Sequence, residues 1–165
     1  MPDCKEDCQN FLKTISDDPR IKSLLNGITG GTPNIECRPC SDVGPEGNSR
    51  AALFNGTPSH IVLCTNRLQS KELKESLTHE LVHAYDYSNQ RCNFNTCDGL
   101  AYSEVRAARE AECNRYFPTQ WLKDYCIKDA ATRSTKNLYG KDSYKCVDRV
   151  FDVANNDIEP ISKSM

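Results

Sequence analysis

Two histidines and a glutamate, His79, Glu80 and His83, fall within five residues in the stretch SLTHELVHAYDYS. On a helix, positions i and i+4 differ by only about 40° in azimuth, so both imidazoles leave one face and can share a single tetrahedral Zn2+. Glu80 directly follows the first histidine. Its carboxylate therefore swings beside such an ion rather than onto it, where it can take a proton from water whose pKa zinc lowers to about 7. Two histidines on a helix are by themselves usually amphipathic surface. Here the residues around them suit burial: Leu77, Leu81 and Val82 are apolar, and Thr78 and Ala84 are small. That pattern belongs to a helix wedged beneath a cleft.

A catalytic zinc needs a third protein ligand and an open fourth position. An extended motif would require glycine at 86 and histidine at 89, and the chain has Asp86 and Asn89. Of its three histidines the remaining one, His60, lies upstream in SHIVLC, a run that reads as a strand with an ordinary, partly exposed histidine. A glutamate on the following helix remains, and AYSEVRAAREAEC supplies Glu104. Ala107 and Ala108 after it would let two helices approach closely. Asp86 shares the face of His79 and His83 a turn further on. It is the alternative ligand, and reads better as a partner for Arg91 or Arg106. Tyr85, Tyr87, Tyr102 and Arg106 are candidates to stabilise an oxyanion.

The elements that must position these groups form an α+β chain in one domain, 1–165. Residues 4–27 show apolar positions at helical spacing, with a break or kink at Pro19. Residues 34–64 hold three β-prone runs, NIECR, RAALFN and SHIVLC, separated by turn-forming DVGPEGNS and GTPS. From 70 to 155 the pattern is helical, near 70–89, 100–116, 119–136 and 142–154, with Pro118 and Gly140 as breaks. Strands followed by helices indicate α+β rather than alternating α/β. The SHIVLC strand is expected at a sheet edge above the zinc helix, offering its backbone to an extended peptide substrate.

Ten cysteines are spread from Cys4 to Cys146, with one C-x-x-C pair at Cys37 and Cys40. Zinc knuckles would cluster them, so dispersal favours disulfides and an oxidising compartment. Yet the acidic opening MPDCKEDCQN suits neither a secretory signal nor an arginine-rich transit peptide. The net charge of −2 argues against a nucleic-acid partner, and no apolar run approaches a membrane span.

LTHELVHAYD, followed by SEVRAA, with SHIVLC upstream and VDRVFDVANNDIEP near the C-terminus, resembles the mitochondrial inner-membrane protease and ATP synthase assembly-factor family. The pairing of the first two stretches is the specific part. Tyr102 stands where the family commonly has cysteine, and RCNFNTC carries Cys92 and Cys97 in place of its more usual Asp-Trp pattern. The resemblance implies a zincin-like zinc endopeptidase of the intermembrane space, peripheral to the inner membrane, that matures the precursor of ATP synthase subunit six and assists its assembly. It also implies entry through a thiol-oxidising relay without a cleaved presequence, which reconciles the cysteines with the N-terminus. Two other functions remain open: an assembly chaperone with dispensable proteolysis, and thiol–disulfide exchange through Cys37 and Cys40.

Overall fold

The computed structural model describes residues 4–43, 51–56 and 59–161. The turn residues expected at 44–49 and 57–58 lie outside them. Of the two outcomes expected at Pro19 the break is the one seen: the amino-terminal region is two helices, α1, Lys5–Leu12, and α2, Pro19–Gly27, with a 3-10 turn at Ile15–Asp17 between them. Asp18 and Pro19 explain the break. The Asp18 carboxylate accepts from the backbone N–H groups of Arg20 and Ile21, and Pro19 opens α2 where its missing N–H costs nothing. The proline starts a helix instead of bending one.

Three strands follow, β1 (Asn34–Arg38), β2 (Ala52–Gly56) and β3 (Ser59–Cys64), in the order β1-β3-β2. β3 runs parallel to β1 and antiparallel to β2. The SHIVLC strand is thus the centre of the sheet and not the expected edge. Its Ile61, Val62, Leu63 and Cys64 are all buried, as a strand covered on both faces and paired on both sides requires. The edge available beside the helices belongs to β2.

Gln69 and Glu72 form a capping box over a short 3-10 turn that leads into α3, Leu73–Ser88. α4 spans Cys97–Glu110, α5 Gln120–Tyr139 and α6 Ser143–Asn156. Thr96 and Thr119 cap α4 and α5, which sets their starts. α4 lies between two apolar cores. Ala107 joins Leu77, Leu81, Val82 and Ile61 in the core shared by α3 and the sheet, while Ala101, Val105 and Ala108 pack with Val147 and Phe151 in the core among α4, α5 and α6. Ala107 and Ala108 are both fully buried, the close approach of α4 that their size permits. On the other side of α3, a Cβ at Gly56 would lie 2.3 Å from the Tyr87 ring, so only glycine lets β2 come this near the helix.

The chain end is tied to α4 by arginines. Arg109 donates to the carbonyls of Ala154, Asn155 and Asp157, and Arg106 to those of Asp157 and Glu159. Four disulfides cross-link the fold: Cys8–Cys37, Cys40–Cys64 and Cys97–Cys146 join segments 29, 24 and 49 residues apart, and Cys113–Cys126 closes a shorter segment of separation 13. Cys37 and Cys40 are each bonded to a different partner, so the C-x-x-C pair does not form the internal disulfide of a thiol-exchange site. Among the described residues no helix is long and apolar enough to cross a membrane.

Candidate metal centre

α3 presents His79 and His83 on one face, and α4, packed against it, brings Glu104 to the same point. His79 Nε2 and His83 Nε2 are 3.1 Å apart, and Glu104 Oε1 is 3.1 Å from each. Three donor atoms around a tetrahedral ion at about 2.0–2.1 Å would be separated by roughly 3.3 Å. The observed triangle is close to that size, and two imidazole nitrogens with one carboxylate oxygen form a donor set that zinc accepts. These three are the one group of potential metal-ligating residues among the described residues.

The far sides of both imidazoles are held. His79 Nδ1 lies 2.6 Å from Glu112 Oε1, and His83 Nδ1 lies 2.8 Å from Ser103 Oγ. Ser103 donates its hydroxyl to Asp86 at 2.9 Å, so it must accept from His83, which places a proton on Nδ1 and leaves Nε2 as the ring atom directed at Glu104. Asp86, fully buried, also accepts from Arg106 Nε at 3.0 and 3.1 Å. The Asp86 side chain is thus engaged by Arg106 and Ser103, the partner role expected of it, while Glu104 joins the histidines.

Electrostatics describe a centre that demands positive charge. Burial alone would depress the His79 pKa, but the Glu112 charge and the hydrogen bonds to Glu104 and Glu112 lift it well above its ordinary value. His83 is raised as well: burial opposes, and the Glu104 carboxylate prevails. Burial should raise Glu104, yet His83 and His79 hold it far below the usual carboxylate range. A divalent cation would supply such charge in place of protons.

The three groups line a cleft of about 400 Å³ together with Glu80. Ala51, Ala52 and Phe54 of the β2 region form part of its wall, and Ser134, Asn137 and Leu138 of α5 form another. The cleft is graded along α3. Glu75 and Glu72 precede His79 by one and two turns, and Glu112 joins them. Their mutual repulsion adds to burial in raising the Glu75 pKa. Beyond His83 the lining turns aromatic, with the Phe94 ring edge-on to His83 at 5.9 Å.

None of the four expected oxyanion groups lines this cleft. Tyr102 donates to Asp157, Arg106 is locked to Asp86, Tyr85 packs in the core beneath Arg91 and Arg106, and Tyr87 lies against Phe54 and Phe94. His60 stays on β3, paired with Glu36. Two neighbours of the histidines went unread in the sequence. Ser103 sits inside the SEVRAA stretch immediately before Glu104, where a hydroxyl next to a candidate ligand was the available signal. Glu112 lies past the end of α4, so no helical spacing pointed to it.

The Peptidase M76 family model matches residues 3–162. The chain is 33% identical to the mitochondrial inner membrane protease ATP23 homolog of Homo sapiens over 94% of this chain and 69% of that protein. It is 32% identical to the homolog of Xenopus laevis, over 94% of this chain and 72% of that one. The mitochondrial inner membrane protease atp23 of Schizosaccharomyces pombe is 29% identical, over 96% of this chain and 93% of its own. No solved structure matches the chain.

Proposed function

The chain belongs to the Peptidase M76 family, and from that membership we propose that it is a zinc endopeptidase of zincin-like design, acting in the mitochondrial intermembrane space at the face of the inner membrane. The observation that carries the metal assignment is the convergence of His79 Nε2, His83 Nε2 and Glu104 Oε1 in a cleft that also holds Glu80. His79, His83 and Glu104 would hold the ion. Zinc bound there acts as a Lewis acid toward water and the scissile carbonyl.

The remaining work falls to the chain's own side chains. Glu80, next to His79 and mostly buried, takes the proton of the attacking water and returns it to the departing amine. Glu112 and Ser103 keep the Nδ1 protons of the two histidines turned away from the ion, and Asp86 and Arg106 anchor Ser103 in turn.

The substrate is a polypeptide laid along β2. The Cys64 N–H donates to the Ala51 carbonyl at 2.8 Å, which sets the phase of the antiparallel ladder: Ala51, Leu53 and Asn55 bond to β3, and Ala52 and Phe54 turn their N–H and C=O outward. An extended segment can pair with those groups and cross the face of His79 and His83. By the resemblance, the precursor of ATP synthase subunit six is the substrate, and assistance in ATP synthase assembly accompanies the cleavage.

The test is cleavage of unstructured peptides by the oxidised, zinc-loaded chain, before and after chelation and after zinc is returned. Loss and recovery of cleavage with the metal supports the reading. Cleavage indifferent to chelation at zero residual zinc overturns it, and absence of cleavage by the loaded chain, with client binding retained, favours an assembly chaperone.

A further inference from the structure

The chain's single tryptophan, Trp121, is 71% exposed, and it lies within ten residues of Tyr116 and Tyr125, exposed by 85% and 63%. A lone surface aromatic needs no explanation, but this concentration does. Trp121 and Tyr125 are one turn apart at the start of α5, and their rings stack at 6.2 Å with planes 26° apart. Leu122 beside them is 37% exposed.

All four residues sit in the segment closed by the Cys113–Cys126 disulfide. The bridge fixes both ends of this segment against the buried part of α5, so the aromatics are held out to solvent instead of folding back. A contact made by side chains already held in place loses little conformational freedom on binding. The segment begins directly after Glu112, the partner of His79, so whatever it binds is placed in a set relation to the cleft.

Its chemistry suits a lipid surface. Trp and Tyr combine an apolar body with a polar edge and favour the headgroup level of a bilayer. Aliphatic residues, which would suit burial in a protein groove, are represented only by Leu122. The local charge is positive: Arg115 and Lys123 stand against Asp124, whose carboxylate also accepts from Gln120, in a chain whose net charge is −2. Among the described residues no helix is long and apolar enough to span a membrane, and this patch is a surface on them suited to peripheral contact.

We propose that the disulfide-closed segment bearing Tyr116, Trp121, Leu122 and Tyr125 is the membrane-contacting surface of this protein, inserting its aromatic side chains at the headgroup level of an anionic bilayer. The inference rests on the peripheral inner-membrane reading above and names the surface responsible for it.

Trp121 is its own probe. The oxidised, zinc-loaded chain is mixed with vesicles of phosphatidylcholine and phosphatidylglycerol in equal parts, or of phosphatidylcholine alone. Emission should shift to the blue, become quenched by lipids brominated on the acyl chain, and lose accessibility to iodide, more strongly with the anionic vesicles. The Trp121→Ser/Tyr125→Ser double variant should co-sediment with them about tenfold or more weakly, since each ring contributes apolar area to the contact. Its zinc content and its cleavage of a short soluble peptide should be unchanged.

If vesicles pellet the chain while Trp121 stays open to iodide, another surface docks; the inference falls and the peripheral reading stands. If neither vesicle pellets the chain, both fall, whereas cleavage of the soluble peptide reports on the protease reading separately. Shielding of Trp121 on native membranes but not on protein-free vesicles would assign the patch to a protein partner and overturn the lipid proposal. The quenching measurement needs no variant, so a folding defect in the double substitution cannot hide the result.

Discussion

Ser103→Ala isolates what the hydrogen bond behind His83 contributes to metal binding. The hydroxyl is fully buried, 2.8 Å from His83 Nδ1 and 2.9 Å from Asp86. Removing it leaves the Asp86–Arg106 ion pair in place, so the fold keeps its buried charge balance. In the metal-free variant His83 can move its proton to Nε2 and donate to Glu104, 3.1 Å away, which leaves Nδ1 an unsatisfied acceptor. With an ion on Nε2 that escape is closed, and a buried N–H is stranded at Nδ1. Such a donor costs about 1–3 kcal/mol, and here the penalty falls largely on metal binding. It corresponds to a zinc affinity lower by about 5- to 150-fold. Competition with a chromophoric chelator measures that ratio, and thermal unfolding of the metal-free variant checks that the fold is intact. Zinc affinity within twofold of the parent, in a folded variant, would refute the role given to Ser103.

Non-reducing alkylation under denaturing conditions should leave the eight bridged sulfurs unmodified while labelling Cys92; labelling of all ten would place the folded chain in a reducing compartment. Before denaturation Cys92 should react slowly, because burial and the Asp86 charge push its thiol up to about 12. The metal-free chain should lose stability as pH rises past 6.5 through the higher folded values of His79 and His83, since a raised pKa stabilises only below it. Glu104, depressed in the fold, loses its contribution only as pH falls below 4.5, so thermal melts in chelator should peak between these limits and zinc should move the peak upward; a flat profile would contradict the linkage. Ala52→Pro removes an outward N–H from β2 without touching the ladder to β3, and should lower kcat/KM for peptides by about fivefold or more at unchanged zinc content; unaltered kinetics would place the substrate elsewhere.

The residues that meet at the candidate site were more legible than the architecture that frames it. The histidines needed only helical spacing, and Glu104 followed by exclusion, because both depend on local pattern and on how few histidines the chain has. Asp86 could be paired with Arg106 for a similar reason: its face was known and its position along the helix was a turn too far. The place of SHIVLC was not legible, because a parallel β1–β3 pair with β2 on the far side is decided by which faces the helices cover. Pro19 marked an irregularity in the amino-terminal helix, but the apolar spacing running through it did not show whether the chain bends there or a new helix starts. Glu112 meets His79 across 33 residues from an irregular turn, a contact that exists only once α4 has packed on α3. The aromatic segment of α5 had no periodic role to play in the core, and its exposure became visible only in the folded chain.

Zinc stoichiometry across three substitutions tests the metal centre most directly. Elemental analysis of the purified, oxidised chain should find one zinc per molecule in the parent and in Glu80→Gln, the latter retaining the ion while losing cleavage by about two to four orders of magnitude. Glu104→Ala should lose zinc. Full zinc occupancy and affinity in Glu104→Ala, with Asp86→Ala folded but metal-free, would transfer the third ligand to Asp86 and contradict the assignment made here.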